Sequence, residues 1–138
     1  MTILITGGAG FIGSNFILNW LQKFDEKFIN LDSLTYSSNL ENLKSIEKKS
    51  NYEFVKGDIG DSNLVADLLK KYQPRAIINF AAESHVDRSI HGPDDFMQTN
   101  IIGTYRLLEE TRLFFNSLYK GMAQNLFLKL TSHKVTFY

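Results

Sequence analysis

The sequence predicts an α/β fold, a Rossmann-like doubly wound parallel sheet of about five strands. Three observations carry this. Short apolar, β-branched-rich runs alternate with amphipathic stretches along the chain. The gaps between runs are long enough for crossover helices, which parallel neighbours require and which are right-handed. The first run also ends directly in a glycine-rich turn that opens a helix-period stretch. In doubly wound sheets, ligands bind beyond the carboxyl ends of the strands, here expected near the switch between strands one and four.

Thr2 to Thr6 (TILIT) is the first strand, and Phe11, Ile12, Phe16, Ile17, Trp20, Leu21 and Phe24 then recur at helical spacing. Lys27 to Leu31 (KFINL) is a second strand closing on Asp32, Ser37 to Lys48 a polar helix or loop, and Tyr52 to Lys56 a third strand. Asp61 or Ser62 caps a helix carrying Leu64, Val65, Leu68 and Leu69, with Lys70 and Lys71 in its last turn, where cations oppose the negative dipole end. Pro74 leads into Arg75 to Ala82 (RAIINFAA), a buried-type strand. Pro93 and Asp94 open a long helix to about Asn116, with Phe96, Thr99, Ile102, Leu107 and Leu108 inward. Gly121 punctuates, and Asn125 to Leu130 (NLFLKL) is a fifth strand.

No repeat or linker divides the 138 residues, a length that suits one domain with its own core. A composition 43% hydrophobic and 22% charged excludes disorder and fibrous repeats. Fifteen basic side chains balance fifteen acidic ones, which disfavours a nucleic-acid binder that works by displacing counterions. Without cysteine there is no disulfide framework, thiolate zinc site or cysteine nucleophile. His85, His91 and His133 lack metal-ligand spacing, so no metal is expected. MTILITGGAG does not read as a signal peptide, and no 18-residue apolar span occurs, which together predict a soluble, cytoplasmic chain away from membranes.

The glycines point to chemistry. Gly7, Gly8, Gly10 and Gly13 satisfy both Gly-x-Gly-x-x-Gly and the wider Gly-x-x-Gly-x-x-Gly spacing. One permits a tight turn, one lets backbone approach a pyrophosphate, and one lets helix pack on strand. The helix start supplies N–H groups and a positive dipole end. Asp32, nineteen residues after Gly13, is placed to accept both hydroxyls of an adenosine ribose and to repel a 2′-phosphate, so NAD(H) is expected over NADP(H). Asp58 is positioned to bind adenine and Ile59 to cover its face.

These residues, together with the stretch from Leu34 through Leu43 (LTYSSNLENL) and the run from Ala81 to Ile90 (AAESHVDRSI) followed by Gly92-Pro93, resemble the extended short-chain dehydrogenase/reductases. Within them the likeness is to the dTDP-glucose 4,6-dehydratase family, over roughly residues 2 to 118, where Thr99-Asn100 and Gly103-Thr104 also fit. The resemblance implies that Phe11 and Ile12 meet the pyrophosphate by backbone, that Asp32, Ser33, Leu34 and Thr35 hold the ribose, and that Asp58 and Ile59 hold adenine. It implies that Phe80, Ala81, Ala82, Glu83 and Ser84 line the nicotinamide-ribose side, with Ser84 also approaching the sugar nucleotide and Thr99 supporting the cofactor from the helix. The family's reaction takes hydride from C4 of the glucose unit of dTDP-glucose, eliminates water across C5 and C6, and returns hydride to C6.

The same resemblance predicts an Asp-Glu acid/base pair after the fifth strand, where this chain has His133 and Lys134. A lysine cannot serve as a carboxylate base. The family's Tyr-x-x-x-Lys pair, remaining strands and sugar-nucleotide domain fall downstream of Tyr138, and Lys134 with Tyr138 has the wrong order and spacing for that pair. No catalytic residue is therefore assigned, and the expectation is an NAD-binding front part that does not complete the reaction alone. The alternatives are a non-catalytic remnant or partner subunit docking on a full-length relative, and an epimerase-type fragment. Phe114, Phe115, Leu118 and Tyr119 are read as core or a subunit seam, and the 94–116 helix as a possible homodimer surface.

Overall fold

A computed structural model describes residues 1–84 and 93–118. Strands β1 (Thr2–Thr6), β2 (Lys27–Asp32), β3 (Tyr52–Lys56) and β4 (Ala76–Asn79) form one parallel sheet in the order β3-β2-β1-β4. The direction of winding reverses between β1 and β4, the predicted switch point. The expected fifth strand at Asn125 to Leu130 lies outside the described residues, as do Gly121, Tyr119, the three histidines, Lys134 and Tyr138.

β1 is buried on both faces, which explains its unbroken apolar run. Ile3 and Ile5 pack with Phe28 against Ile17 and Leu21 of α1 (Phe11–Leu21), while Leu4 packs with Ile29 and Leu31 against Val65, Leu68 and Leu69 of α2 (Ser62–Tyr72). Asp61 settles the choice of cap for α2, its carboxylate accepting the Leu64 N–H at 3.1 Å. α1 stops at Leu21, and the Phe24 ring beyond it packs tilted against Trp20 with centroids 4.8 Å apart.

One open alternative is settled as a helix and two expectations are corrected. The polar stretch from Ser37 to Lys48 contains a 3₁₀ helix, Leu40–Ile46, capped by Asn39, whose Leu43 and Ile46 are buried against α1 and β2. β4 spans four residues where the apolar run suggested eight, because its partner β1 ends at Thr6 and the chain turns away at Gly7. After the Phe80 N–H reaches the Thr6 carbonyl at 2.9 Å, residues 80–84 leave the sheet. The long helix from Pro93 runs as α3 (Pro93–Met97), a π-helical stretch Gln98–Gly103, and α4 (Thr104–Leu118). The wider π turn shifts the helix face, so positions in phase by 3.6-residue counting do not stay on one side. Leu107 is buried as expected, but Phe96 and Ile102 are exposed.

At the amino ends of the strands, Glu26 and Arg75 form a bidentate pair at 2.7 Å on each arm, and the Trp20 indole N–H donates to the same carboxylate at 3.0 Å. The Arg75 guanidinium holds the Glu26 carboxyl below its ordinary value. Among the described residues, no helix is long and apolar enough to cross a membrane.

Candidate nucleotide site

Beyond β1 the chain turns at Gly7 with φ +66, and a side chain there would lie 2.4 Å from the Ala81 nitrogen. The segment after β4 therefore rests directly on the turn. A Cβ at Gly13 would lie 2.4 Å from the Gly7 carbonyl oxygen, so the first turn of α1 packs against the glycine loop with no room between them. Gly10 differs, because a Cβ there meets only the Gly7 oxygen at 3.4 Å and otherwise open space.

Gly10 is the N-cap of α1 and provides no side-chain cap. The Ser14 N–H makes the first intrahelical bond, to Gly10 at 2.9 Å, and the N–H groups of Phe11 and Ile12 precede it. Such groups have no partner within a helix and carry its positive dipole end. The Phe11 side chain, 80% exposed, turns outward and leaves the backbone approachable. An uncapped, side-chain-free helix start of this kind suits a pyrophosphate.

Asp32 ends β2 with its side chain on the α1 face, and the residue is 4% exposed. One carboxylate oxygen accepts the Ala9 N–H at 2.9 Å, and the other accepts the Leu34 N–H at 2.8 Å and the Ser38 hydroxyl at 2.7 Å. The Asn39 N–H closes the circuit by donating to the Ala9 carbonyl at 2.9 Å. With three acceptor directions of about four in use, Asp32 has room for one further donor, not for both hydroxyls of a ribose. Its first task is to tie the glycine turn to the loop after β2. In that loop Leu34 has φ 59, which brings its N–H back onto Asp32, while Ser33 and Thr35 are exposed.

The loop after β3 carries Asp58, exposed, with Oδ1 accepting the Gly60 N–H at 2.6 Å. Ile59 is 4% exposed and packs against Gly103 and the α2 face. The protein itself covers this side chain, which leaves it unavailable to cover an adenine ring as the sequence suggests. Phe80 packs on Phe16, centroids 5.4 Å apart, beside half-buried Ala81 and exposed Ala82 and Ser84. Thr99, half-buried, sits in the π-helical stretch.

Asn100 is the residue whose part was least visible. Its Oδ1 accepts the Glu83 N–H at 2.9 Å and its Nδ2 donates to the Glu83 carbonyl at 2.8 Å, which fixes the segment after β4 to the helix. Its place beside Thr99 in the family resemblance was the available signal. Ser38 gave none. Below the site, the side chains of Thr6 and Asn79 hydrogen-bond between the ends of β1 and β4.

Tyr52 and Lys56 have the Tyr-x-x-x-Lys spacing but lie along β3, not on a helix. The Tyr52 hydroxyl accepts from buried Asn30 at 3.0 Å, and burial pushes its phenol above the ordinary tyrosine value. This tyrosine belongs to the core. Among the described residues, no group of three or more His, Asp or Glu side chains is arranged to hold a metal.

A parallel sheet that winds both ways from β1 and β4, with a glycine turn and an uncapped helix at that switch, defines a Rossmann-like α/β protein. Comparison narrows the class. The sequence model for GDP-mannose 4,6 dehydratase matches residues 4–128, and the chain belongs to that family. It is 55% identical over 117 residues, 85% of its length, to the dTDP-glucose 4,6-dehydratase of Xanthomonas campestris pv. campestris (strain B100), of which it spans 33%. The Streptomyces venezuelae dTDP-glucose 4,6-dehydratase, solved with NAD bound, superposes with TM-score 0.76 at 46% identity over 80% of this chain and 35% of the other. The Thermotoga maritima UDP-glucose 4-epimerase, solved with UDP-glucose, gives TM-score 0.73 at 32% identity over 83% and 35%. The chain thus spans about a third of the length of these relatives.

Proposed function

We propose that these residues form the NAD-binding N-terminal part of a dTDP-glucose 4,6-dehydratase. The observation that carries the reading is the open, uncapped start of α1 at Gly10, set beside an Asp32 carboxylate locked to the same turn. Backbone N–H groups of Phe11 and Ile12 hold the pyrophosphate, and the loop from Asp32 to Thr35 holds the adenosine ribose through one carboxylate contact. Asp58 and the backbone of Ile59 take the adenine, while residues 80–84 and Thr99 support the nicotinamide side, Ser84 facing the nucleotide sugar. The Asp32 charge disfavours a 2′-phosphate and so favours NAD(H). When bound, the dinucleotide supplies a hydride acceptor and donor; the chain's own residues bind and orient it.

The dehydration lies outside what residues 1–138 do by themselves in this reading, since His133 and Lys134 stand where the resemblance expects an acid/base pair. A cytoplasmic setting goes with it. Titration of NAD+ into the purified chain, followed by incubation with dTDP-glucose, tests both halves. Saturable NAD+ binding without a 4-keto-6-deoxy product is expected. Sustained turnover sinks the claim of inactivity, and no heat of binding sinks the cofactor site.

A second reading, association with another copy or a longer relative, is favoured by the exposed Met97, Ile101, Tyr105 and Leu113 along α3, the π-helical stretch and α4. Light scattering after size exclusion checks it; a clean monomer at micromolar concentration counts against it.

A further inference from the structure

β2 and β4 are not neighbours, because β1 runs between them. Their ends stand two strand spacings apart, about 10 Å. Yet Tyr36, from the loop after β2, donates its hydroxyl proton to Glu83 Oε2, from the segment after β4, at 2.8 Å. The hydrogen bond therefore crosses the end of β1, where the glycine turn begins.

Both sides of this crossing are anchored without it. Glu83 is gripped through its main chain by Asn100, twice. The Tyr36 loop is fastened to the glycine turn by Asn39 on the Ala9 carbonyl and to Asp32 by Ser38. The Tyr36–Glu83 pair is itself solvent-exposed. An exposed hydrogen bond between anchored loops adds little to the fold, so its consequence lies in what it spans. A dinucleotide bound along the carboxyl edge of such a sheet reaches from the β2–β3 side to the β4 side and must pass the end of β1.

We propose that Tyr36 and Glu83 form a strap over the middle of the bound dinucleotide that slows its release. This rests on the nucleotide-site reading above and adds a residue pair to it. Loop fluctuation opens the strap for entry, and the hydrogen bond re-forms across the pyrophosphate. Tyr36→Phe removes only the donor; Glu83→Ala removes the acceptor and keeps the backbone that Asn100 holds.

Stopped-flow fluorescence of NADH leaving the chain is the test. Each variant is expected to release NADH three- to tenfold faster, with the association rate within twofold of the parent. The double variant should release it no faster than the quicker single one, because one shared bond is lost in every case. Unchanged release from a parent and variants that all bind NADH overturns the strap and leaves the nucleotide site standing. Faster association at unchanged release also overturns it, since the pair would then be a barrier to entry. Additive effects of the two substitutions overturn the shared bond. Failure of the parent to bind NADH overturns the nucleotide site, and the strap with it.

Discussion

Replacing Asp32 by alanine should damage the fold before it damages ligand binding. The carboxylate accepts three hydrogen bonds, and the one from the Ala9 N–H is buried. Stranding a buried N–H costs about 1–3 kcal/mol. The Leu34 N–H and the Ser38 hydroxyl are part-buried, and water replaces their partner at roughly 0.5 kcal/mol each. The expected loss is about 2–4 kcal/mol. With a urea m-value of about 2 kcal/mol/M, the unfolding midpoint should fall by about 1–2 M. Ser38→Ala, which removes one donor and leaves the carboxylate in place, should cost only about 0.5–1 kcal/mol. NADH affinity measured on the remaining folded Asp32→Ala protein should fall by about 1–3 kcal/mol, the scale of a charge-assisted hydrogen bond. A midpoint shift below about 0.3 M would refute the view that Asp32 ties the glycine turn to the β2 loop.

Two further substitutions divide the glycines by role. Gly13→Ala places a methyl against backbone at 2.4 Å and 2.7 Å, and should destabilise the chain by about 2–3 kcal/mol in a urea titration. Gly10→Ala meets nothing closer than 3.4 Å, so stability should stay within about 1 kcal/mol of the parent. Its methyl fills the space where a pyrophosphate approaches, so NADH binding should weaken at least tenfold by fluorescence titration. Equal effects of both variants on folding would contradict the assignment. Glu26→Gln addresses pH. The Arg75 guanidinium depresses the Glu26 carboxyl, so the pair's contribution is complete above the ordinary carboxyl value of 4.5 and is lost as pH falls through the lower folded-state value. Parent and variant melting temperatures should therefore differ at pH 7 and draw together as pH falls below 4.5 through the lower folded-state value; a constant gap across that descent would argue against the linkage.

The glycine turn is legible in the sequence because its spacing is a steric requirement: a side chain at Gly7 or Gly13 collides with backbone. The end of β4 was not legible, since Arg75 to Ala82 is apolar past the point where Thr6 stops offering a partner. Leu43 and Ile46 sit among polar neighbours, so their burial shows only once the 3₁₀ turn brings them to one side. The inward list for the last helix failed at Phe96 and Ile102 because a π-helical stretch changes the period without a compositional sign. The position of Asp32 at the end of β2 predicts a ligand group, but its bonds to Ala9 and Ser38 depend on how two loops fold over each other.

The central place of β1 also bears on how the chain is made. Its last residue, Thr6, pairs with Asn79, 73 positions further on. At about 5–20 residues per second of synthesis, the second neighbour of β1 follows it out of the ribosome by roughly 4–15 s. Through that interval β1 can pair with β2 while its other edge lies open, presenting apolar Ile3, Leu4 and Ile5 to any extended segment nearby. An interior strand of the described sheet is therefore left with one open edge until β4 emerges, and faster elongation through residues 33–79 shortens that exposure.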